Sequence, residues 1–238
     1  MFKFSIFKLR KVGNNILDLF FPKFCLGCGE EGKFVCGKCF KKIKQEELCC
    51  PVCNKVNFAG RFCKKHKKQA RFDGLLFVGR FQGINKKLVH NFKYEGIKEL
   101  SNLMAKVMAQ VLAQNFRAEE KLVLVPVPLF FAKRLSRGFN QSEILAQKIG
   151  EILDLPVANL LLRIKATKSQ TRFTKQKRLE NIKKAFCLSG WGRKENLKNK
   201  TIVLVDDVYT TGATLSEAAK ILKKKHPKEI WALTFCKD

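Results

Sequence analysis

The chain has 238 residues, 46% of them hydrophobic and 29% charged, with ten cysteines and a formal net charge of +28. That length and apolar content support a real core, enough for one substantial α/β domain and a small accessory one. No apolar run approaches the ~18–20 residues of a membrane span, so membrane insertion is not expected. The charge permits nucleic-acid binding without localising it, because the excess is +11 over residues 1–70 and +17 over 71–238. Lysine outnumbers arginine 37 to 11 and Phe reaches 21, which codon bias in an AT-rich genome would also give.

The first stretch, MFKFSIFKLRKVGNNILDLFFPKF, intersperses Lys and Arg with Phe, Ile and Leu. It lacks the unbroken apolar segment of a secretory signal. An amphipathic helix over 1–24, packed on its own protein, is the reading favoured over a membrane-surface helix, and a cytoplasmic location is expected.

Eight of the ten cysteines follow between Cys25 and Cys63, as C25-x2-C28-x7-C36-x2-C39 and then C50-x2-C53-x9-C63-x2-H66. Paired C-x2-C units at short intervals are metal knuckles, whereas a disulfide framework would want an oxidising compartment. Two structural zinc sites are predicted: Cys25, Cys28, Cys36 and Cys39, and Cys50, Cys53, Cys63 and His66. Four protein ligands leave no open coordination position. Cys49 competes with Cys50 for the second site. Phe34, Phe40, Phe58 and Phe62 either fill the small core here or stack on single-stranded nucleic acid. Cys187 and Cys236 read as ordinary buried thiols.

From Leu122 the segment LVLVPVPL predicts a strand running into a turn, with prolines at 126 and 128 removing two backbone donors. Arg134 and Arg137 follow, and arginine offers a fork matched to phosphate oxygens. Gly138 to Gln141 then turns into a helix begun by Ser142. Lys165 to Lys184 is too polar and basic for core.

The most informative stretch is TIVLVDDVYTTGATLSEAAKIL, Thr201 to Leu222. Thr201 to Val205 is a short apolar run, as in a parallel strand covered on both faces. Leu215, Ala218, Ala219 and Leu222 recur at helical spacing. The loop between lies where open α/β sheets bind ligands. Unpaired amides at the helix start attract phosphate. Thr210, Thr211 and Thr214 add hydroxyls, while Gly212 lets the backbone approach closely. Asp206 and Asp207 accept only, so they suit sugar hydroxyls or a hydrated metal ion. A strand, an Asp-capped turn and a helix with no ligand is the blander reading, which two adjacent aspartates and three threonines disfavour.

VLVDDVYTTGAT resembles the phosphoribosyl pyrophosphate (PRPP) motif of type I phosphoribosyltransferases. With the knuckles, the chain resembles the ComF-type phosphoribosyltransferase family over roughly residues 20 to 236. The segments Val125–Ile149, Leu161–Phe186 and LVHNFKYEG at 88–96 are similar to the family's other motifs. The resemblance implies an α/β fold, a parallel sheet flanked by helices, with an N-terminal double zinc ribbon over 25–70 and a phosphoribosyltransferase domain over 71–238. A hood would occupy about 71–100, and Lys93 and Tyr94 would lie over the acceptor pocket. Asp206 and Asp207 would hold the ribose hydroxyls and carry catalysis, and Thr210, Thr211, Gly212, Ala213 and Thr214 would hold the 5′-phosphate. The amides of Val127 and Leu129, with Arg134 and Arg137, would hold the diphosphate. Arg163, Thr167, Gln170, Arg178 and Asn181 would belong to a loop closing over PRPP. Mg²⁺ would accompany PRPP. The implied activity is pentosyl transfer to an unknown acceptor, linked to natural transformation. The alternative is a non-catalytic PRPP- or nucleotide-sensing module that binds single-stranded DNA. Competence proteins are the implied partners, and a homodimer is left open.

Overall fold

The computed structural model describes residues 22–43, 45–57, 59–166 and 182–238. The helix expected over 1–24 therefore falls largely outside the described residues, as do Phe58, Thr167, Gln170, Arg178 and Asn181. The chain divides after Ile43 into two compact units. Among its described residues the first contains one short helix, α1 (Gly37–Phe40), which carries Cys39.

The second unit contains α2 (Lys64–Lys67), β1 (Gly74–Arg80), α3 (Gly83–Tyr94), α4 (Leu100–Asn115), β2 (Leu122–Pro126), α5 (Phe131–Arg137) and α6 (Gln141–Leu153). It continues with β3 (Leu161–Arg163), β4 (Phe186–Leu188), α7 (Gly190–Lys194), β5 (Thr201–Tyr209), α8 (Ala213–Lys223) and β6 (Glu229–Lys237). Four strands form one parallel sheet in the order β1-β6-β5-β2, and β3 and β4 form a separate antiparallel ribbon. The parallel strands are buried along nearly their whole length, as continuous apolar runs in a doubly covered sheet should be. Leu75, Leu76, Phe77, Leu124, Val203, Leu204 and Phe235 are closed off from solvent. Each such side chain contributes roughly 1.5–3 kcal/mol on burial.

The second knuckle is joined to the sheet. Leu75 N–H donates to Gly60 O at 2.9 Å and Glu46 N–H donates to Val78 O at 2.9 Å. Arg61 pairs with Glu229 at 2.9 Å. The division between the compact units falls between the two knuckles. The strand expected over Thr201–Val205 runs on to Tyr209, because β6 continues beside it through Val208↔Cys236 and Tyr209↔Lys237. β2 stops earlier, its last pair being Pro126↔Val205. Asp206 and Asp207 are therefore strand residues, placed just past the end of β2 where one side of β5 is released.

Candidate functional site

Three elements converge on the acidic pair. α6 is capped by Asn140, whose Oδ1 accepts from Ser142 N–H at 3.2 Å and whose Nδ2 donates to Val127 O at 3.2 Å. This fixes the start of α6 against the exit of β2 and aims Ser142 Oγ at Asp206 Oδ1, 2.8 Å away. The helix thus begins at Gln141, one residue before the Ser142 start expected. α3 brings Lys93 Nζ to 2.7 Å from Asp207 Oδ1. Asp207 is 3% exposed, and among the described residues its buried Oδ2 has no hydrogen-bond partner.

The electrostatics follow from burial. Desolvation and the neighbouring Asp207 push the Asp206 carboxyl up to about 6, against Lys93 and the hydrogen bonds from Ser142 and Asp207 N–H. Burial works against the Lys93 ammonium, but Asp207 and then Asp206 outweigh it and its pKa is raised. Burial lowers Arg163 while Asp206 supports its charge. Lys133 is lowered by burial and by Arg163, Arg137 and Lys93, so four cations share this end of the sheet. Such a cluster suits a multiply charged anion.

After β5, Gly212 adopts φ +73° and caps α8, and Thr211 Oγ1 accepts from Ala213 N–H at 3.4 Å. Thr210, Thr211 and Thr214 are exposed or half-exposed, so their hydroxyls remain open to a ligand at the helix start.

Several expectations need correction. The Val127 N–H is not available to a diphosphate, because it donates to Val205 O at 3.0 Å and closes the sheet. Arg134 is drawn to Glu143 at 3.3 Å, on the exposed side of α5 and α6. Arg137 stacks on the Tyr94 ring at 5.3 Å, and among the described residues its buried Nη1 has no hydrogen-bond partner, which leaves it open to an anion. Lys93 does not simply overlie a pocket; it neutralises Asp207. Tyr94 is 64% exposed and leans on His90. Ser142, Lys133 and the Lys93–Asp207 pair were not recognised from sequence. The FKY and FNQS stretches were the available signals. Cys236 is buried as expected, but Cys187 is half-exposed on β4.

The two knuckles assemble from the expected residues. Cys25, Cys28, Cys36 and Cys39 form one cluster, and Cys50, Cys53, Cys63 and His66 the other, with ligand atoms within 4.8 Å of one another. The Sγ separations Cys28–Cys36 and Cys53–Cys63 are 3.6 and 3.8 Å. A tetrahedral zinc with ~2.3 Å bonds to sulfur gives edges of about 3.8 Å. His66 Nδ1 faces Cys63 Sγ at 3.2 Å and Cys50 Sγ at 3.7 Å, which identifies the ring nitrogen that would bind. Cys49 is excluded from the cluster and leans on Asn54 Oδ1 at 3.9 Å. Burial raises the Cys25 and Cys50 thiols, but backbone amides, led by Cys36 and Cys63 respectively, bring each down to about 6. Thiolates are the form zinc binds. The donor sets fit structural zinc at both clusters.

Two cavities lie away from the acidic pair. One of about 750 Å³ borders the second knuckle, lined by Lys55, Arg61, Phe62, Lys64 and Lys65 among others. The other, about 680 Å³, sits beside the start of β2 and Trp191.

A parallel sheet flanked by helices, with paired aspartates at a strand end, a threonine-rich helix start and a cation cluster, defines an α/β domain of the phosphoribosyltransferase type, here joined to two Cys/His knuckles. Residues 96–238 match the phosphoribosyl transferase domain and residues 16–67 the double zinc ribbon domain. Competence protein F of Haemophilus influenzae is 30% identical over 84% of this chain and 89% of that protein. Competence protein ComFC of Bacillus subtilis is 30% identical over 80% of this chain and 78% of its own. DNA utilization protein YhgH of Escherichia coli is 26% identical over 84% and 89%. In shape the chain aligns with a solved hypoxanthine phosphoribosyltransferase of Staphylococcus aureus at 15% identity and a TM-score of 0.34, over 59% of this chain and 65% of that one. At that score the likeness adds nothing to the topology. The chain belongs to the ComF-type phosphoribosyltransferase family, with an N-terminal double zinc ribbon. No helix among the described residues is long and apolar enough to cross a membrane.

Proposed function

We propose that the chain binds PRPP with Mg²⁺ and transfers its phosphoribosyl group to an acceptor nucleophile, in the cytoplasm. The observation that carries this reading is the acidic pair at the end of β5, set between Lys93 and Ser142 and followed directly by the Thr210–Thr214 helix start. Asp206 and Asp207 accept from the ribose hydroxyls, and the amides and hydroxyls of Thr211 to Thr214 donate to the 5′-phosphate. Asp207 Oδ2, which has no hydrogen-bond partner among the described residues, and the adjacent carboxylates suit a hydrated Mg²⁺, which when bound neutralises charge on the diphosphate. Lys133, Arg137 and Arg163 supply fixed positive charge for the diphosphate as the C1–O bond breaks and the acceptor bonds to C1, its proton being lost to solvent. Lys93 neutralises Asp207 from the side of α3.

The test is PRPP calorimetry with and without Mg²⁺, using wild type and the Asp206→Asn/Asp207→Asn double variant, followed by an acceptor screen for pyrophosphate release. Unchanged affinity in the double variant would sink the assignment.

The relatives' names, competence and DNA utilization, support a role for this activity in DNA uptake. One surface favours contact with single strands: the basic cavity at the second knuckle. Phe62 there packs edge-on against buried Phe72 at 5.1 Å and is only half-exposed, so charge rather than stacking would dominate. Single-strand affinity should then fall steeply with salt, and Lys55, Lys64 and Lys65 changed together to Ser should weaken it at 50 mM salt.

A further inference from the structure

Tyr209 closes β5 and is 5% exposed. It is held between the second knuckle and the helix start that we read as the phosphate site. On one side its ring covers Gly212. A Cβ at that position would stand 2.7 Å from Tyr209 Oη and 2.8–2.9 Å from the ring carbons, so the glycine and the ring fit only each other. On the other side lies Lys237, the β6 residue in register with Tyr209. Lys237 is 2% exposed, its Nζ stands 5.9 Å from the Tyr209 ring centroid, and it donates to Asn54 Oδ1.

Asn54 follows Cys53 directly and is held in the left-handed region at φ +60°, its N–H donating to Cys50 O at 3.0 Å. It is therefore part of the knuckle turn itself. An ion with three thiolates and one neutral imidazole carries a net charge of −1, and Lys237 is the buried cation that faces it. A buried ammonium without such partners is costly, so Lys237 keeps its place only while the turn keeps its shape.

We propose that Tyr209 and Lys237 couple metal occupancy of the Cys50–His66 knuckle to the geometry of the phosphate loop, each site stabilising the other. This rests on the reading of Thr210–Thr214 as a phosphate site. The Asn54 turn holds Lys237, Lys237 and the β-ladder hold Tyr209, and the ring sets the backbone of Gly212, from which the helix-start amides follow. Tyr209 is a positioning residue here. The coupling is reciprocal, so a bound phosphate must tighten zinc by the same factor as zinc tightens phosphate.

The experiment uses the full chain loaded with zinc and ribose 5-phosphate as the probe. Zinc affinity is measured by chelator competition with and without saturating probe, and probe binding by calorimetry. One zinc per chain should be held about five-fold or more tighter with the probe, and the other unchanged. The gain should persist in Cys28→Ser, which removes the first knuckle's zinc, and in Tyr209→Phe, which keeps the ring over Gly212. It should vanish in Tyr209→Ala and shrink in Lys237→Met. Probe binding without any gain in zinc affinity in wild type overturns the coupling, as does a gain that survives Tyr209→Ala. Absence of probe binding to zinc-loaded wild type overturns the phosphate-site reading instead, and the coupling with it.

Discussion

Asp206→Asn should make the protein more stable at neutral pH while destroying its ligand site. The substitution keeps Oδ1, which accepts from Ser142 Oγ at 2.8 Å and from Asp207 N–H at 3.0 Å, and removes only the charge. Burial and Asp207 raise the Asp206 carboxyl from an ordinary 3.8 to about 6. The folded state therefore binds this proton more tightly than the unfolded chain. Stability from this group is greatest below pH 3.8, is lost as pH rises toward 6, and stays lost above it. At 1.36 kcal/mol per unit the two-unit shift amounts to about 3 kcal/mol. That is an upper figure, since Asp206 as a residue is only half-buried. Lys93's attraction is already contained in it. Urea unfolding followed by tryptophan fluorescence, in wild type and variant from pH 4 to 8, reads the difference directly and cancels the protonation of the zinc ligands common to both. The variant's advantage should grow from near zero at pH 4 to between 1 and about 3 kcal/mol at pH 7. A difference independent of pH, or a variant less stable at pH 7, would refute the assignment of a strained buried acid pair. PRPP affinity should collapse in the same variant.

Lys93→Met removes the cation that holds Asp206 down, so the pH-dependent loss of stability should move upward in pH; the same urea series checks it. Elemental analysis should find two zinc ions per chain. Cys28→Ser should lose one without shifting the unfolding midpoint of the larger unit, whereas Cys53→Ser should lose the other and lower that midpoint, because its knuckle is bonded to the sheet. Gly212→Ala forces a left-handed alanine, costing roughly 1–2 kcal/mol, and drives a methyl against Tyr209 Oη, so calorimetry should show ribose 5-phosphate binding lost. Gly74→Ala would put a methyl 2.3 Å from the Trp231 ring. That indole is wedged by Phe116 and Arg61 and tied to Glu229. Chemical denaturation should therefore show a loss of roughly 1–3 kcal/mol.

The features legible in sequence were those made by neighbours along the chain. A C-x2-C turn places two thiolates on one ion by local geometry, so Cys25, Cys28, Cys36 and Cys39 could be read directly. Likewise an apolar run, two aspartates, threonines around a glycine and a helical repeat give a strand end facing a helix start without reference to anything distant. What surrounds those features was settled by pairing and packing. β6 runs alongside β5 to Lys237 and so carries the strand past Asp207, while β2 stops at Pro126 and spends the Val127 amide on Val205. Which backbone donors stay free depends on strand register, and no periodicity in one segment records where its neighbour ends. The partners of the acids, Lys93 on α3 and Ser142 on α6, are brought in by helices that return over the sheet from far along the chain. The choice of Cys50 over Cys49 and the attachment of the second knuckle to β1 and β6 have the same origin. Chain spacing sets which atoms can share an ion, but only the sheet beside them determines which way each side chain turns.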